Sequence, residues 1–168
     1  MGVTLRKFDA SKDIGGISRF LSESYEPMNR DGNWIQPMWD YSCFHPLTEE
    51  EALAKVGVWK NGNEIVAAAI FDLHKTDISL CTGAQYRHLK SDMVKYAEDH
   101  LSAEKEGSRF LNIYAHDFDT DLEDTLSRAG YLRKPEADQI LSFLRIPSPF
   151  PDISLPEGLC AQKSGRTQ

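Results

Sequence analysis

The chain lacks the features that most quickly assign a function. It has only three cysteines in 168 residues, Cys43, Cys81 and Cys160, odd in number and far apart. No Cys-x-x-Cys occurs, so neither a zinc knuckle nor a disulfide framework is indicated, and each thiol reads as a small apolar residue. No apolar run approaches membrane-spanning length, and the N-terminal MGVTLRKFDA has no apolar signal core. Gly2 is present, but Arg6 stands where a myristoylation signal has Ser or Thr. The 19 basic residues form no stripe or cluster and are outnumbered by 26 acidic ones, for a net charge of -7. That excludes the electrostatic footprint of a nucleic-acid binder. Internal repeats and low-complexity tracts are also missing. The expectation is a cytoplasmic protein that binds neither nucleic acid nor membrane.

What is present is ordinary globular material, 40% hydrophobic and 27% charged, in a chain long enough to bury a real core. VTLRKFD alternates and predicts a first strand. Ser11 offers an N-cap to a helix carrying Ile14, Ile17, Phe20, Leu21 and Tyr25 at helical spacing, which Pro27 ends. PMNRDGNWIQPMWDYSCFHP, broken by prolines, predicts a long irregular loop rich in aromatics. Thr48 and Glu51 form a capping box for the helix TEEEALAKV. GVWKNGNEIVAAAIFDL reads as a hairpin, with Asn61-Gly62 supplying the positive φ angles of its turn. DISLCT is a further strand. A long helix follows, with Tyr86, Leu89, Met93, Tyr96, Ala97 and Leu101 on one stripe. FLNIYAH predicts a strand, Thr120 and Glu123 a second capping box, and Gly130 a helix C′ position. QILSFLRI is the last predicted strand.

The resulting order, β α α β β β α β α β, implies an α/β protein with a mixed sheet and helices on its faces. The folded domain is expected over residues 1–146. The composition then turns to PSPFPDISLPEGL and a polar end, read as a proline-rich linker or tail over 147–168.

The junction GAQYRHLKSDM poses the functional question. A strand feeds a helix start, the place where many α/β enzymes hold a phosphate on free backbone N–H groups, yet no glycine follows Gly83 until Gly107. The ordered set VTLRKFD, GVWKNGNEIVAAA, DISLCTGAQYRHLKSDM and FLNIYA, followed by a helix ending in AGY, resembles the GNAT superfamily of N-acyltransferases. The resemblance covers residues 3 to about 146. It implies a GNAT-like fold and acetyl-CoA as cofactor, lying between DISLCT and the next helix. Leu80, Thr82, Arg87, Lys90 and Asp92 would then line the cofactor. In the family, an Arg/Gln-x-x-Gly-x-Gly/Ala loop grips the pyrophosphate. Arg87 matches its leading residue, while Lys90 and Asp92 stand where the small residues belong. Lys90 is able to bind a phosphate, but Asp92 repels one. The grip of the site therefore reads as degraded.

The catalytic side has a similar gap. The tyrosine that the family often places four residues before the final Gly is here Leu126. Tyr114, His116 and Tyr131 are substitutes for the acid that protonates the departing thiolate, and Asp77 is the candidate base, with Asp72 and His74 nearby. Packed aromatics and turn residues are the plain reading of each. Asp117, Asp119 and Asp121 alternate as in a calcium loop, but Leu122 and Arg128 occupy the positions where Gly and Glu are required, so helix capping explains them better.

Trp34, Trp39 and Tyr41 suggest an apolar wall for a small-molecule or peptide amine, or else anchors for a long loop. LPEGL resembles the entrance to another domain in tandem GNAT proteins. Two functions stay open: an N-acetyltransferase of a primary amine, or a non-catalytic binding or regulatory module using the aromatic loop 33–45. A structural half completed by a second GNAT domain or a homodimer partner is a third.

Overall fold

A computed structural model describes residues 2–72 and 76–140, together with 142, 145, 147–149 and 157. The chain divides into two compact units, Met1–Lys134 and Pro135–Gln168.

The first unit is a five-stranded mixed sheet with helices on both faces. Its elements are β1 (Val3–Lys7), α1 (Ala10–Ser24), α2 (Gln36–Phe44), α3 (Glu50–Leu53), β2 (Gly57–Asn61), β3 (Glu64–Phe71), β4 (Asp77–Thr82), α4 (Lys90–His100), β5 (Ala103–Lys105), β6 (Ser108–Phe110), β7 (Asn112–Tyr114) and α5 (Thr120–Arg128). The sheet order is β1-β2-β3-β4-β7, antiparallel until β7 joins β4 in parallel. Val66 to Phe71 of β3 are all buried, and alternate strand residues point to opposite faces, so both faces are covered. α1 and α4 each pack on β3, and α2 and α5 pack on α1 and α4 respectively.

Local chemistry explains most of the boundaries. α1 starts two residues earlier than Ser11 capping implies, because Asp9 is the N-cap and its carboxylate accepts the Ser11 N–H at 3.1 Å. Its buried Asp13 is satisfied twice: Arg6 of β1 forms a bidentate pair with it, and the Asp9 N–H donates at 2.7 Å. In the β2–β3 hairpin only Gly62 has positive φ (+61°), so the two-residue turn is Gly62-Asn63, and Asn61 remains in the strand.

Several expectations need correction. The aromatic segment is not an irregular loop throughout, since it contains α2. Pro37 lies in the first turn of α2, where its missing N–H costs no helical bond, and the helix ends before Pro46. Thr48 caps nothing; its hydroxyl donates to the Ser42 carbonyl, and Glu49 precedes α3. Asp119, not Thr120, caps α5, accepting the Leu122 N–H. FLNIYAH is strand only at Asn112–Tyr114, and Phe110 belongs to the β5–β6 hairpin, whose turn has Glu106 and Gly107 at positive φ. Of QILSFLRI, Gln139 and Ile140 are in no strand, and Leu141, Phe143, Leu144 and Ile146 lie outside the described residues.

The helical stripe before and along α4 is borne out: Leu89, Met93, Ala97 and Leu101 are buried, with Tyr86 and Tyr96 packed beside them. Gly130 follows α5 at φ +88°. Among the described residues no helix is long and apolar enough to cross a membrane.

Candidate functional site

The sheet opens between β4 and β7. Only Asp77, Ile78 and Ser79 pair with Asn112, Ile113 and Tyr114, so Leu80, Cys81 and Thr82 run on beyond the last parallel pair. Unpaired strand edges expose N–H and C=O groups that must find partners if buried. Here the segment between α1 and α2 supplies them. The Asn33 side chain accepts the Thr82 N–H at 2.7 Å and donates to the Thr82 carbonyl at 3.2 Å. One primary amide thus closes the two-bond ring that another strand would otherwise make. The next residue, Trp34, donates its backbone N–H to the Cys81 sulfur at 3.3 Å and stacks its ring on Tyr114, centroids 5.5 Å apart. Burial pushes the Cys81 thiol up to about 12, so it stays protonated and accepts this bond as a neutral thiol.

The segment that carries Asn33 is folded tightly. Asp31 accepts the N–H groups of Glu26, at 2.9 Å, and of Asn33, at 3.1 Å. Met28 and Asn29 both have positive φ, +66° and +55°, uncommon for Met and better tolerated by Asn. Asn29 is buried; its amide nitrogen donates to the Asn33 carbonyl and meets His116 Nε2, both at 3.2 Å. Its Oδ1, like the buried indole nitrogen of Trp34, has no hydrogen-bond partner. His116 stacks on Phe118 with centroids 5.0 Å apart. Its pKa is held below the ordinary value, by burial first and by Lys90 second.

The helix start beside this opening differs from an anion cradle in each respect that matters. The 3₁₀ turn Ala84–Leu89 runs directly into α4, and the Lys90 N–H donates to the Arg87 carbonyl instead of standing free. The Lys90 ammonium is buried in an ion pair with Asp119. Asp92 in the first turn of α4 and Arg87 in the 3₁₀ turn are exposed. The residues present do not fit acetyl-CoA: the Thr82 backbone of β4 is taken by Asn33, the lysine is spent on Asp119, and the Tyr86 and Lys90 N–H groups are bonded within the turn.

The other expected site residues fall in different places. Asp77 accepts a hydrogen bond from the Asn112 side chain at 2.7 Å. It lies five residues before Thr82, roughly 16 Å along the strand. Tyr114 is at the opening, against Trp34. Tyr131 follows α5, its phenol pushed up by burial and then by Glu98, which favours the neutral form. Leu80 is buried in the sheet.

The aromatic set divides. Trp39 is fully buried, with its indole N–H on the Ile14 carbonyl at 3.1 Å, whereas Tyr41 is half exposed against His45. Only Trp34 reaches the opening. His74 lies outside the described residues. A separate cavity of about 260 Å³ lies by the start of β4 and the end of α4, lined by Phe71, Thr76 and Leu101 among others. Among the described residues, no group of three or more His, Cys, Asp and Glu side chains is placed to hold a metal ion. Asn29, Asp31 and Asn33 were not foreseen from sequence, whereas Asp119 caps its helix as the acidic run suggested but its pairing with Lys90 was not anticipated. The signal for those three is the density of Asn, Asp and Gly in NRDGN, which reads first as a turn.

No family model matches the chain, and no curated protein matches it. Among solved structures, a possible acetyltransferase from Clostridium difficile 630 superposes with a TM-score of 0.47 at 11% identity, covering 85% of this chain and 99% of that one. An integron cassette protein from the mobile metagenome of V. cholerae gives 0.45 at 13% identity, covering 86% and 94%. At such identities these are likenesses of backbone arrangement alone.

Proposed function

We propose that this chain is a GNAT-like domain whose own cofactor cleft is closed, serving as a binding or regulatory module and not as a self-sufficient N-acetyltransferase. The observation that carries this reading is the Asn33 amide on the Thr82 backbone, which takes the edge of β4 that an acetyl-CoA arm would need. The buried Lys90–Asp119 pair supports it independently, because a phosphate would have to break that pair to recruit the lysine. The segment around Trp34 is then the part of the aromatic loop 33–45 that faces a ligand or partner. A second GNAT domain, or a second copy of the chain, is the partner that this reading favours.

A second reading, acetyl transfer from acetyl-CoA to a primary amine, is supported by the two positive-φ residues Met28 and Asn29, since backbone held in sparsely populated conformations is also backbone able to leave. It requires the Asn33 segment to withdraw. Calorimetric titration of the full chain with acetyl-CoA separates the two. The closed-cleft reading expects no heat of binding in the wild type and a measurable affinity in an Asn33→Ala, Asp92→Gly variant. Micromolar binding by the wild type, with acetyl transfer to any amine acceptor, would overturn it.

A further inference from the structure

Among the contacts that hold the closing segment, the one between Asn29 and His116 depends on a titratable ring, and this inference rests on the closed-cleft reading. An amide nitrogen carries only hydrogens. Asn29 Nδ2 lies 3.2 Å from the Asn33 carbonyl, which only an N–H satisfies, so the orientation of that amide is fixed. The second hydrogen then points to His116 Nε2, which must accept it with a lone pair. This bond forms only when the imidazole is neutral and its proton is on Nδ1. Every contact in the chain from His116 to Asn29, to the Asn33 carbonyl and on to the Thr82 backbone is a hydrogen bond. The Asn29 carbonyl oxygen contributes nothing to holding it, being buried without a partner.

The strain in the segment runs the same way. Met28 and Asn29 hold positive φ, and Gly32, at φ +73°, lies so close to Phe118 that a Cβ there would come within 3.2 Å of its ring. Non-glycine residues in the left-handed region cost free energy and stay there only while neighbouring contacts hold them.

We propose that His116 is a proton-operated latch: a proton on Nε2 removes the acceptor for Asn29, sets N–H against N–H, and releases the Asn33 plug from Thr82. The charged groups around the ring set where this happens. Lys90, at the start of α4, opposes protonation; Asp31 of the plugging segment, together with Asp119 and Asp117 before α5, favours it, and burial opposes it most. The sign follows. A histidine with a folded pKa below its unfolded one binds its proton more readily in the open or unfolded chain. The closed form is therefore fully stable above about 6.5 and weakens as the pH falls below that value.

The Thr82 N–H reports the state of the plug directly, because Asn33 is its acceptor. Solvent exchange of this amide is measured by NMR across mildly alkaline to mildly acidic pH, with Ala68 and Ile70 of β3 as internal reporters that the sheet is intact. The expected result is a Thr82 protection factor that falls by about tenfold per pH unit as the pH drops below about 6.5 and levels off once the ring is protonated in the closed form as well, while the β3 amides stay protected. In His116→Gln, whose carbonyl can accept the Asn29 hydrogen at any pH, protection should no longer titrate. In Asn29→Ala it should be low even at alkaline pH. Protection of Thr82 that persists unchanged in acid, or a titration that survives in His116→Gln, overturns the latch and leaves the closed cleft standing. Thr82 exchanging freely at every pH while β3 stays protected sinks the closed-cleft reading itself, and the latch with it.

Discussion

At the scale of single residues, the fate of β4 depends on Asn33 more than on any of the titratable groups around it. Its amide satisfies both polar groups of the buried Thr82 backbone, and no aliphatic replacement can do either. Asn33→Ala should therefore destabilise the protein by about 2 kcal/mol, because two bonds are lost and a buried N–H and C=O are left waiting for water. Asn33→Asp should cost more at neutral pH: the carboxylate still accepts from the Thr82 N–H but is repelled by the Thr82 carbonyl, to which it cannot donate. Urea unfolding of both variants beside the wild type checks the order; equal stabilities would mean that water replaces the amide freely. None of this was legible from NRDGNW. The Asn, Asp and Gly of NRDGN announce a bend, but which residue faces an unpaired strand is decided by where β7 stops, at Tyr114, thirty-two residues beyond Thr82 with a helix and a hairpin between, and no local pattern encodes that distance.

At the scale of elements, the Lys90–Asp119 pair joins the start of α4 to the N-cap of α5. Both side chains are largely buried, so the pair stands on its mutual attraction in place of solvation. Removing one partner strands the other. Lys90→Met should cost about 3 kcal/mol, whereas Lys90→Met with Asp119→Ser, which keeps a capping hydroxyl, should recover most of that loss. A double-mutant cycle by denaturant unfolding measures the coupling; additive effects would show that the pair is not a unit.

The elements themselves were largely readable, and for clear reasons. β4 matches DISLCT residue for residue, and the stripe through Met93 and Ala97 faces the sheet, because period and burial agree there. α2 was missed because three prolines in one segment suggest breaks, although a proline in the first turn of a helix breaks nothing. The β5–β6 hairpin was missed because three-residue strands carry too little alternation to register, leaving only the Glu106-Gly107 turn as a signal.

At the scale of the whole molecule, the mixed sheet with both faces covered agrees with the α/β class expected from the order of elements. The candidate site was visible only as a place, the end of DISLCT. The opening needs β4 and β7 to be neighbours, and so depends on topology that no local string contains. That topology also orders events in time. The β2–β3–β4 meander closes through short turns, whereas β7 reaches β4 only after α4 and the β5–β6 hairpin have been laid down, and parallel pairing across a long connection forms late because its loop entropy must be met first. Stopped-flow kinetics should give Ile70→Ala in β3 a φ-value well above that of Ile113→Ala in β7. The reverse order would place the nucleus at the parallel edge. The amide of Asn33 meets Thr82 across 49 residues of chain, so the mouth of the sheet is a long-range contact like the parallel edge beside it, and the two ends of the opening are set by pairings that no hairpin supplies.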